Sequence, residues 1–200
     1  MEMNELLLAR ARKGDPQAFE ELMAPLERGV YFTCLRLVGD EPTAQDCAQE
    51  AMLRAYKNLK SFRGDCRLST WLYRIAYSVC LDEMRRQKRR PQESLEGLQD
   101  AGFTPPDRGE SPVQALEKKE RMKVIASAIQ TLPMEMKEVL VLSQLQGKSY
   151  EEVALITGTA VGTVKSRLSR AREKLKQILS PQGELFENTG VQLNERRAAK

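Results

Sequence analysis

The sequence predicts an all-α protein in which a flexible acidic linker joins two small helical domains. Leu, Ala, Glu, Lys, Arg and Gln are abundant among its 200 residues, against nine prolines and twelve glycines, a mixture that favours helix. Apolar residues recur at helical spacing on both sides of a central connector. The net charge is +3 over residues 1–90, −4 over 91–114 and +5 over 115–180. We therefore place the domains at 1–90 and 115–180, with the linker between them and a polar tail at 181–200.

Composition restricts the class of protein. A hydrophobic fraction of 41% with 30% charged residues is typical of a soluble, folded chain. No apolar stretch approaches the roughly 20 residues that span a bilayer, so we expect no membrane insertion. The acidic start of the chain is unlike a signal peptide, which predicts a cytoplasmic protein.

The residue types that carry most enzyme chemistry are missing. The chain has no histidine, and its four cysteines lack CxxC spacing, so we expect neither a metal site nor a histidine-based catalytic triad. Glycine-rich phosphate-binding loops are absent too. We therefore predict no cofactor and no enzymatic activity, with the thiols reduced and packed as small hydrophobic groups.

The N-terminal domain begins with two predicted helices. The first covers residues 4–13. Asp15, followed by proline, has the pattern of an N-cap for the second helix, which Gly39 ends. Because Pro25 and Gly29 fall inside the second helix, we expect a kink or break there.

A third helix is predicted from the capping-box pattern of Thr43 and Asp46. It continues through Leu59 with a small-residue apolar side. The opposite side is polar and displays Asp46, Gln49, Glu50, Arg54 and Lys57. By itself this polar side is the ordinary solvated face of a helix.

The fourth predicted helix follows a glycine-containing loop at residues 62–70. Its apolar face includes Trp71 and Ile75, whereas Tyr73 and Tyr77 lie on nearly the opposite face. The helix ends in the basic run 85–90. Aromatic rings with cations suit single-stranded DNA, because rings stack on unpaired bases and cations neutralise phosphate. A second buried face with a basic helix end explains the same pattern equally well.

The C-terminal domain has the pattern of a helix-turn-helix. Helical spacing returns at Leu116 and breaks at Pro133. Ser149 and Glu152 form a capping box, and Gly158 ends a two-turn helix before the final helix at about 163–179. Two short helices joined by a glycine-containing turn are typical of this DNA-binding motif.

The final helix separates an apolar stripe from a polar face. The stripe consists of Val161, Val164, Leu168, Ala171, Leu175 and Ile178. Hydroxyl and basic side chains lie opposite or beside it, and these residue types suit phosphates and base edges in a major groove. A basic amphipathic helix is also often just solvated, so the preceding helix and turn favour the groove-binding interpretation.

Three groups of motifs together resemble the extracytoplasmic-function sigma factors over most of residues 5–180. The first group is DCAQE at 46–50 with LRAY at 53–56. The second is FRG at 62–64 with TWLYRIA at 70–76. The third is GKSYEEVA at 147–154 with VGTVKSRLSRAR at 161–172.

The resemblance implies a role for each group. Polymerase binding would use Asp46, Gln49, Glu50 and Arg54. Recognition and melting of the minus-10 element by domain two would use Arg63, Arg67, Tyr73, Arg74, Tyr77, Ser78, Arg85 and Arg86. Recognition of the minus-35 element by domain four would use Thr163, Lys165, Ser166, Arg167, Ser169 and Arg170. Ser78 stands where the family often has asparagine, which changes the hydrogen-bonding groups offered to a flipped base.

The resemblance also implies partners: core RNA polymerase, through its clamp helices and flap, promoter DNA, and an anti-sigma factor. The acidic residues 91–113 would thread the basic cleft of the polymerase. Two other classes of protein remain open on the residues alone. One is a stand-alone helix-turn-helix regulator, and the other is a polymerase-independent binder of single-stranded nucleic acid.

Overall fold

The computed structural model describes the backbone of residues 2–89 and 112–180, and the side chains of 5–89 and 120–180. Within these ranges the protein is all helical, as predicted. The helices are α1 (Glu2–Arg12), α2 (Pro16–Val38), α3 (Glu41–Asn58), α4 (Leu68–Arg89), α5 (Pro112–Gln130), α6 (Met134–Leu140), α7 (Tyr150–Thr157) and α8 (Val161–Leu179). A 3₁₀ turn at Leu59–Ser61 follows α3, and a π-helical turn at Val141–Leu145 extends α6. Residues 91–111 of the predicted linker and the predicted tail lie outside the described residues. Residues 112–114, also predicted as linker, form the first turn of α5.

The boundaries of α2 follow the predicted signals. The Asp15 carboxylate accepts hydrogen bonds from the backbone N–H groups of Gln17 and Ala18, both at 3.1 Å. Pro16 occupies the first turn, where no N–H partner is needed. At the other end Gly39 adopts φ 95° and its N–H bonds to the carbonyl of Leu35. This left-handed conformation is one that glycine adopts without a Cβ clash.

The predicted break inside α2 and the predicted start of α3 at Thr43 were wrong. α2 continues unbroken through Pro25. Pro25 and Glu21, whose carbonyl loses its helical partner, both lie at exposed positions, so water can satisfy that carbonyl. In addition, α3 begins before Thr43: Asp40 is its N-cap and accepts from the Thr43 N–H at 3.0 Å.

Small side chains set the packing of the N-terminal module, which we define as α1–α4. The face of α3 that contacts α2 and α4 is built from Ala44, Cys47, Ala51 and Ala55, all buried. Side chains of this size let the three helix axes approach closely, and the larger Met23, Leu37 and Leu72 fill the space between them.

The C-terminal module comprises α5–α8 and contains the predicted helix-turn-helix. Ser149 and Glu152 form the predicted capping box: the Glu152 N–H donates to the Ser149 hydroxyl, and the Ser149 N–H donates to the Glu152 carboxylate. Gly158 ends α7 at φ 69°. Val164, Leu168, Ala171 and Leu175 are buried along α8, which confirms the predicted stripe. Val161 and Ile178, at its ends, are partly buried.

The two modules pack against each other. α4 of the N-terminal module contacts α7, and α2 contacts α5 and α6. At the α2–α5 contact, the Gln130 side chain donates to the backbone carbonyl of Arg36 at 2.9 Å. The helical spacing of apolar residues in each half indicates only which residues are buried within that half. It therefore does not predict a contact between the two modules.

Candidate nucleic-acid and protein interfaces

A polar cleft lies between α3 and α4. Its volume is about 300 Å³, and it is lined by Thr43, Asp46, Cys47, Glu50, Arg54, Val79, Asp82, Glu83 and Arg86. Arg54 spans it: its Nε lies 2.7 Å from Glu50 Oε1, and its Nη1 lies 3.4 Å from Asp82 Oδ2. The Glu50 contact is the main cause of a raised Arg54 pKa, and Asp82 adds to it. The cleft therefore presents alternating charges at fixed positions.

Three of the four residues predicted to bind polymerase line this cleft, and the fourth is beside it. Asp46, Glu50 and Arg54 are in the lining, and Gln49 is exposed on the same helix. Leu53 and Tyr56, with exposed fractions of 47% and 38%, extend the surface of α3 with apolar area. Both belong to the LRAY motif of the segment that resembles the polymerase-binding helix, although neither was given a binding role of its own. Their position off the buried alanine stripe is the sequence signal that finds them.

Tyr73 and Tyr77 of α4 are not exposed, although one of the two interpretations of their pattern had them stacking on DNA bases. Tyr73 and Tyr77 are only 5% and 8% exposed. The Tyr73 hydroxyl lies against Gly29 of α2, and side chains of the C-terminal module contact both tyrosines. The Tyr73 hydroxyl donates to Gln146 Oε1 at 2.9 Å, and the Tyr77 hydroxyl donates to the Glu138 carboxylate. This arrangement agrees with the other interpretation of the sequence pattern, in which the side of α4 that carries both tyrosines is a second buried face.

Burial changes the acidity of the groups at this contact. It is the largest cause of a raised pKa for both Tyr73 and Tyr77, and the Glu138 carboxylate raises that of Tyr77 further. Burial also raises the pKa of Glu138, against the opposing effects of the Tyr77 hydrogen bond and the Arg167 charge. Both phenols are therefore neutral hydrogen-bond donors across the physiological pH range.

The other residues predicted to contact minus-10 DNA are exposed. Arg74, Ser78 and Arg85 share one side of α4, since their spacings of four and eleven residues return to nearly the same helix face. Arg63 and Arg67 lie in the preceding loop, and Arg86 lies in the last turn, where its Nε pairs with Glu83 at 2.8 Å. The exposed side chains of Arg63, Arg67, Arg74 and Arg85 suit phosphate, whereas Arg86 lines the α3–α4 cleft.

The polar face of α8 is mostly open. Lys165, Ser166, Ser169 and Arg170 are exposed, and Thr163 is half-buried. The N-cap Ala160 has no side-chain acceptor, so the N–H groups of the first turn lack a capping side chain. Arg167 differs from its neighbours: its Nη1 pairs with Glu138 Oε1 at 3.1 Å, and only 25% of its side chain is exposed. The structure thus separates Arg167 from the other predicted minus-35 residues.

Three cysteines meet inside the N-terminal module. Cys34, Cys47 and Cys80 are buried and unoxidised, and Cys66 is partly exposed. Hydrogen bonds to Cys34 and Cys47 are the main cause of a raised Cys80 pKa. No group of metal-ligating side chains occurs in the described part of the chain, and none of its helices is long and apolar enough to cross a membrane.

Comparisons with known proteins agree with this architecture. The family model for sigma-70 region 2 matches residues 22–90, and the model for sigma-70 region 4 matches residues 122–175. The chain is 37% identical over 184 residues to the RNA polymerase sigma-H factor of Pseudomonas aeruginosa, covering 90% of this chain and 95% of the relative. It is 35% identical over 187 residues to the ECF RNA polymerase sigma-E factor of Escherichia coli, covering 89% and 95%.

Two solved structures share the fold. CnrH, in complex with the cytosolic domain of CnrY, aligns with a TM-score of 0.65 at 25% identity, covering 90% of this chain and 98% of that one. The sigma factor RpoE of Bartonella quintana, in complex with the anti-sigma factor NepR, aligns with a TM-score of 0.64 at 25% identity, covering 81% and 96%. The chain belongs to the extracytoplasmic-function family of RNA polymerase sigma factors. It is an alternative sigma factor that directs RNA polymerase to promoters, and so a non-catalytic initiation factor.

Proposed function

We propose that the chain divides polymerase binding and promoter recognition between its two modules, over the ranges 1–90 and 115–180. The N-terminal module docks on core polymerase and recognises minus-10 DNA, and the C-terminal module recognises minus-35 DNA. The observation that carries the proposal is the exposure of three polar surfaces: the α3–α4 cleft, the basic side of α4, which shares Arg86 with that cleft, and the polar side of α8. Each surface has residue types suited to its proposed partner.

The α3 surface suits a protein partner with both charge and apolar area. Asp46, Glu50 and Arg54 present both signs of charge around the cleft, and Leu53 with Tyr56 adds exposed apolar area beside it. Charge complementarity of this kind selects the partner and its orientation, and burial of the apolar area supplies affinity. The proposed occupants are the clamp helices of the polymerase, with the flap contacting the C-terminal module.

The basic side of α4 suits the separated strand of a minus-10 element. Arg63, Arg67, Arg74, Arg85 and Arg86 would neutralise phosphates, with Ser78 offering a hydroxyl to a base. Extrusion of a base costs a few kcal/mol, which these contacts would offset. Tyr73 and Tyr77 are buried in the structure and do not form part of this exposed surface.

The relatives of known structure suggest one more partner. Both are held by a second protein, the cytosolic domain of CnrY in one case and the anti-sigma factor NepR in the other. We propose that this chain is also held inactive by an anti-sigma factor in the cytoplasm until a signal releases it. Pull-down with a tagged chain and core-polymerase competition would test whether the captured protein blocks holoenzyme formation.

Runoff transcription tests the main proposal. Core polymerase is incubated with a promoter library, with and without this protein, and the transcripts are sequenced. A sigma factor makes core initiate at defined sites. A stand-alone helix-turn-helix regulator would bind duplex sites without polymerase and would leave the transcript starts unchanged.

Arg170 gives a residue-level prediction for the minus-35 surface. Arg170→Ala should weaken binding to the selected upstream duplex by about 1–3 kcal/mol if the guanidinium contacts a guanine, because a bidentate base contact is worth that much. Fluorescence anisotropy with the matched and the base-substituted duplex measures the loss. Glu173→Ala is the control, since Glu173 is exposed on the same helix and its side chain carries no positive charge. An equal loss on both duplexes would assign Arg170 to phosphate instead.

A further inference from the structure

The α3–α4 cleft extends down to a buried thiol. Asp46, Asp82 and Arg86 form part of its exposed rim, whereas Cys47 and Val79 line it at only 3% and 5% exposure. The cleft volume of about 300 Å³ is far larger than the space of about 30 Å³ that one water molecule takes up in the liquid. A small polar molecule therefore reaches the Cys47 sulfur through the surface that we propose to dock on core polymerase.

A second thiol lies next to the first. Cys80 of α4 is fully buried, and its thiol is hydrogen-bonded to both Cys34 of α2 and Cys47 of α3. Each of the three helices contributes one thiol, and each pair of these helices packs together. Cys47 is the member of this thiol cluster that lines the cleft, and Cys80 is hydrogen-bonded to it.

The packing around Cys47 and Cys80 permits a covalent bond between them. Cys47 lies between Ala44 and Ala51 on the inner face of α3, and Ala76 precedes Cys80 by one turn of α4, all of them buried. A disulfide needs Cα atoms about 4.4–6.8 Å apart. Small neighbours let two helices approach this closely, and the hydrogen bond shows that the two thiols already meet.

The hydrogen bonds favour Cys47 as the thiol that reacts first. Its hydrogen bond with Cys80 is the largest cause of a lowered Cys47 pKa, against the opposing effects of burial and of the nearby Glu83 charge. Hydrogen bonds to Cys34 and Cys47 are the largest causes of a raised Cys80 pKa. Because the thiolate is the form that attacks an oxidant, Cys47 is the nucleophile and Cys80 is the neighbouring thiol that completes a disulfide.

The charges of the cleft select the kind of oxidant. Among its lining residues, carboxylates outnumber guanidinium groups four to two. An anionic disulfide reagent is repelled by this excess of negative charge, whereas a neutral oxidant is not. The cleft therefore suits a small, neutral oxidant of the peroxide class.

We propose that Cys47 is an oxidation site for peroxide and that it forms a disulfide with Cys80, which weakens docking on core polymerase. This inference rests on the proposed function of the cleft and adds a means of regulating that surface. Disulfides in reducing compartments are usually transient and redox-sensing, which agrees with two thiols that are free in the structure.

The oxidation proceeds in two steps. The Cys47 thiolate attacks one peroxide oxygen, the O–O bond breaks, and a sulfenic acid forms while the other oxygen leaves as hydroxide and takes up the thiol proton to become water. The Cys80 sulfur then attacks the Cys47 sulfur, the S–O bond breaks, and the hydroxyl group leaves with the Cys80 proton as a second water. The thiol pair loses two electrons, and the peroxide gains them.

The disulfide changes the docking surface because its two cysteines belong to opposite walls of the cleft. Arg54 of α3 spans these walls, with its Nη1 3.4 Å from Asp82 Oδ2 of α4. A disulfide holds its sulfur atoms at about 2.05 Å, well inside a hydrogen-bonded contact, so the walls shift relative to each other. The charges on α3 and α4 then leave the positions at which they complement one partner surface.

Mass spectrometry tests the oxidation on the full-length chain. The free protein is treated with hydrogen peroxide, its remaining thiols are alkylated, and it is digested with trypsin. Cleavage places the four cysteines in separate peptides: 29–36, 37–54, 64–67 and 75–85. The peptides of Cys47 and Cys80 should be recovered as one linked species that dithiothreitol separates. Free thiols at both positions, under conditions that oxidise the partly exposed Cys66, would overturn the proposal. A link between Cys34 and Cys80 that leaves Cys47 free would overturn it too.

Cys80→Ser separates the two steps. Serine is close to cysteine in size and cannot form a disulfide, so oxidation should stop at the Cys47 sulfenic acid, which dimedone labels. No dimedone label on Cys47 in this variant would contradict its role as the nucleophile. Cys80→Ala takes the place of Cys80→Ser if circular dichroism shows that the buried hydroxyl unfolds the chain. Cys66→Ser is the matched control: it removes the thiol outside the cluster and should leave the disulfide unchanged.

Binding to core polymerase tests the consequence. After removal of peroxide, the oxidised chain should bind core about tenfold or more weakly than the reduced chain in a native gel shift, because its interface charges are displaced. Dithiothreitol should restore binding, whereas methionine sulfoxide, the other product of peroxide, needs an enzyme for its reduction. Cys66→Ser should respond like the wild type.

Equal affinity of the oxidised and reduced chains for core would refute the regulation, and so would a loss that dithiothreitol does not reverse. Failure of the reduced chain to bind core would instead refute the proposed function. The disulfide between Cys47 and Cys80 is measured on the free chain, so that result does not depend on polymerase.

Discussion

Asp46→Arg should abolish formation of a complex with core polymerase while leaving the affinity of the chain for its upstream duplex unchanged. Asp46 is exposed in the lining of the α3–α4 cleft, so an arginine is accommodated there without disturbing the core. The substitution reverses one charge of a surface that we propose to be complementary to the clamp helices. Like-charge juxtaposition in an interface costs several kcal/mol, which corresponds to a loss in affinity of about a hundredfold or more.

Native gel shift with labelled core measures this loss, and anisotropy with the upstream duplex measures the retained DNA affinity. Glu27→Arg is the matched control, because Glu27 is an exposed acid on α2 outside the cleft and the charge change is identical. It should bind core like the wild type. Normal holoenzyme formation by Asp46→Arg would show that docking uses another surface.

Leu168→Ala should lower the free energy of unfolding by about 2–5 kcal/mol, the usual range for truncation of a buried leucine. Leu168 is 1% exposed and lies on the inner face of α8, which packs against α6 and α7. Truncation leaves a cavity beneath the polar face of the same helix. Because that face must be held rigidly to read a groove, affinity for the upstream duplex should fall as well.

Urea denaturation monitored by circular dichroism measures the change in stability. Leu155→Ala on α7 is the control, since that leucine is 53% exposed and its truncation should change the free energy of unfolding by less than about 0.5 kcal/mol. Equal stability of the two variants would mean that α8 does not depend on this packing.

The helix-turn-helix could be predicted from the sequence in detail because its determinants are local. The Ser149–Glu152 capping box joins groups three residues apart, and Gly158 needs only its own positive φ. The apolar stripe of α8 repeats at spacings of three and four residues. None of these signals depends on a distant part of the chain, so each appears in the structure where it was expected.

The start of α3 shows where local signals compete. Thr43 with Asp46 and Asp40 with Thr43 both have capping spacing, and Asp40 forms the cap. Pro42 within the first turn favours the earlier start, since proline is tolerated where the backbone N–H has no helical partner. Both possible caps are visible in the sequence, and the preference of Pro42 for the first turn selects the earlier one.

The sequence by itself determined the helices, the two modules and the residue types of their exposed faces, because these follow from periodicity and capping within about ten residues. It did not determine the environment of Tyr73 and Tyr77. Their position on α4, nearly opposite Trp71 and Ile75, suits solvent, DNA or a second buried surface equally well. Only the tertiary structure decided among these, since the partners Glu138 and Gln146 lie more than 60 residues away and reach α4 through the packing of one folded module on another.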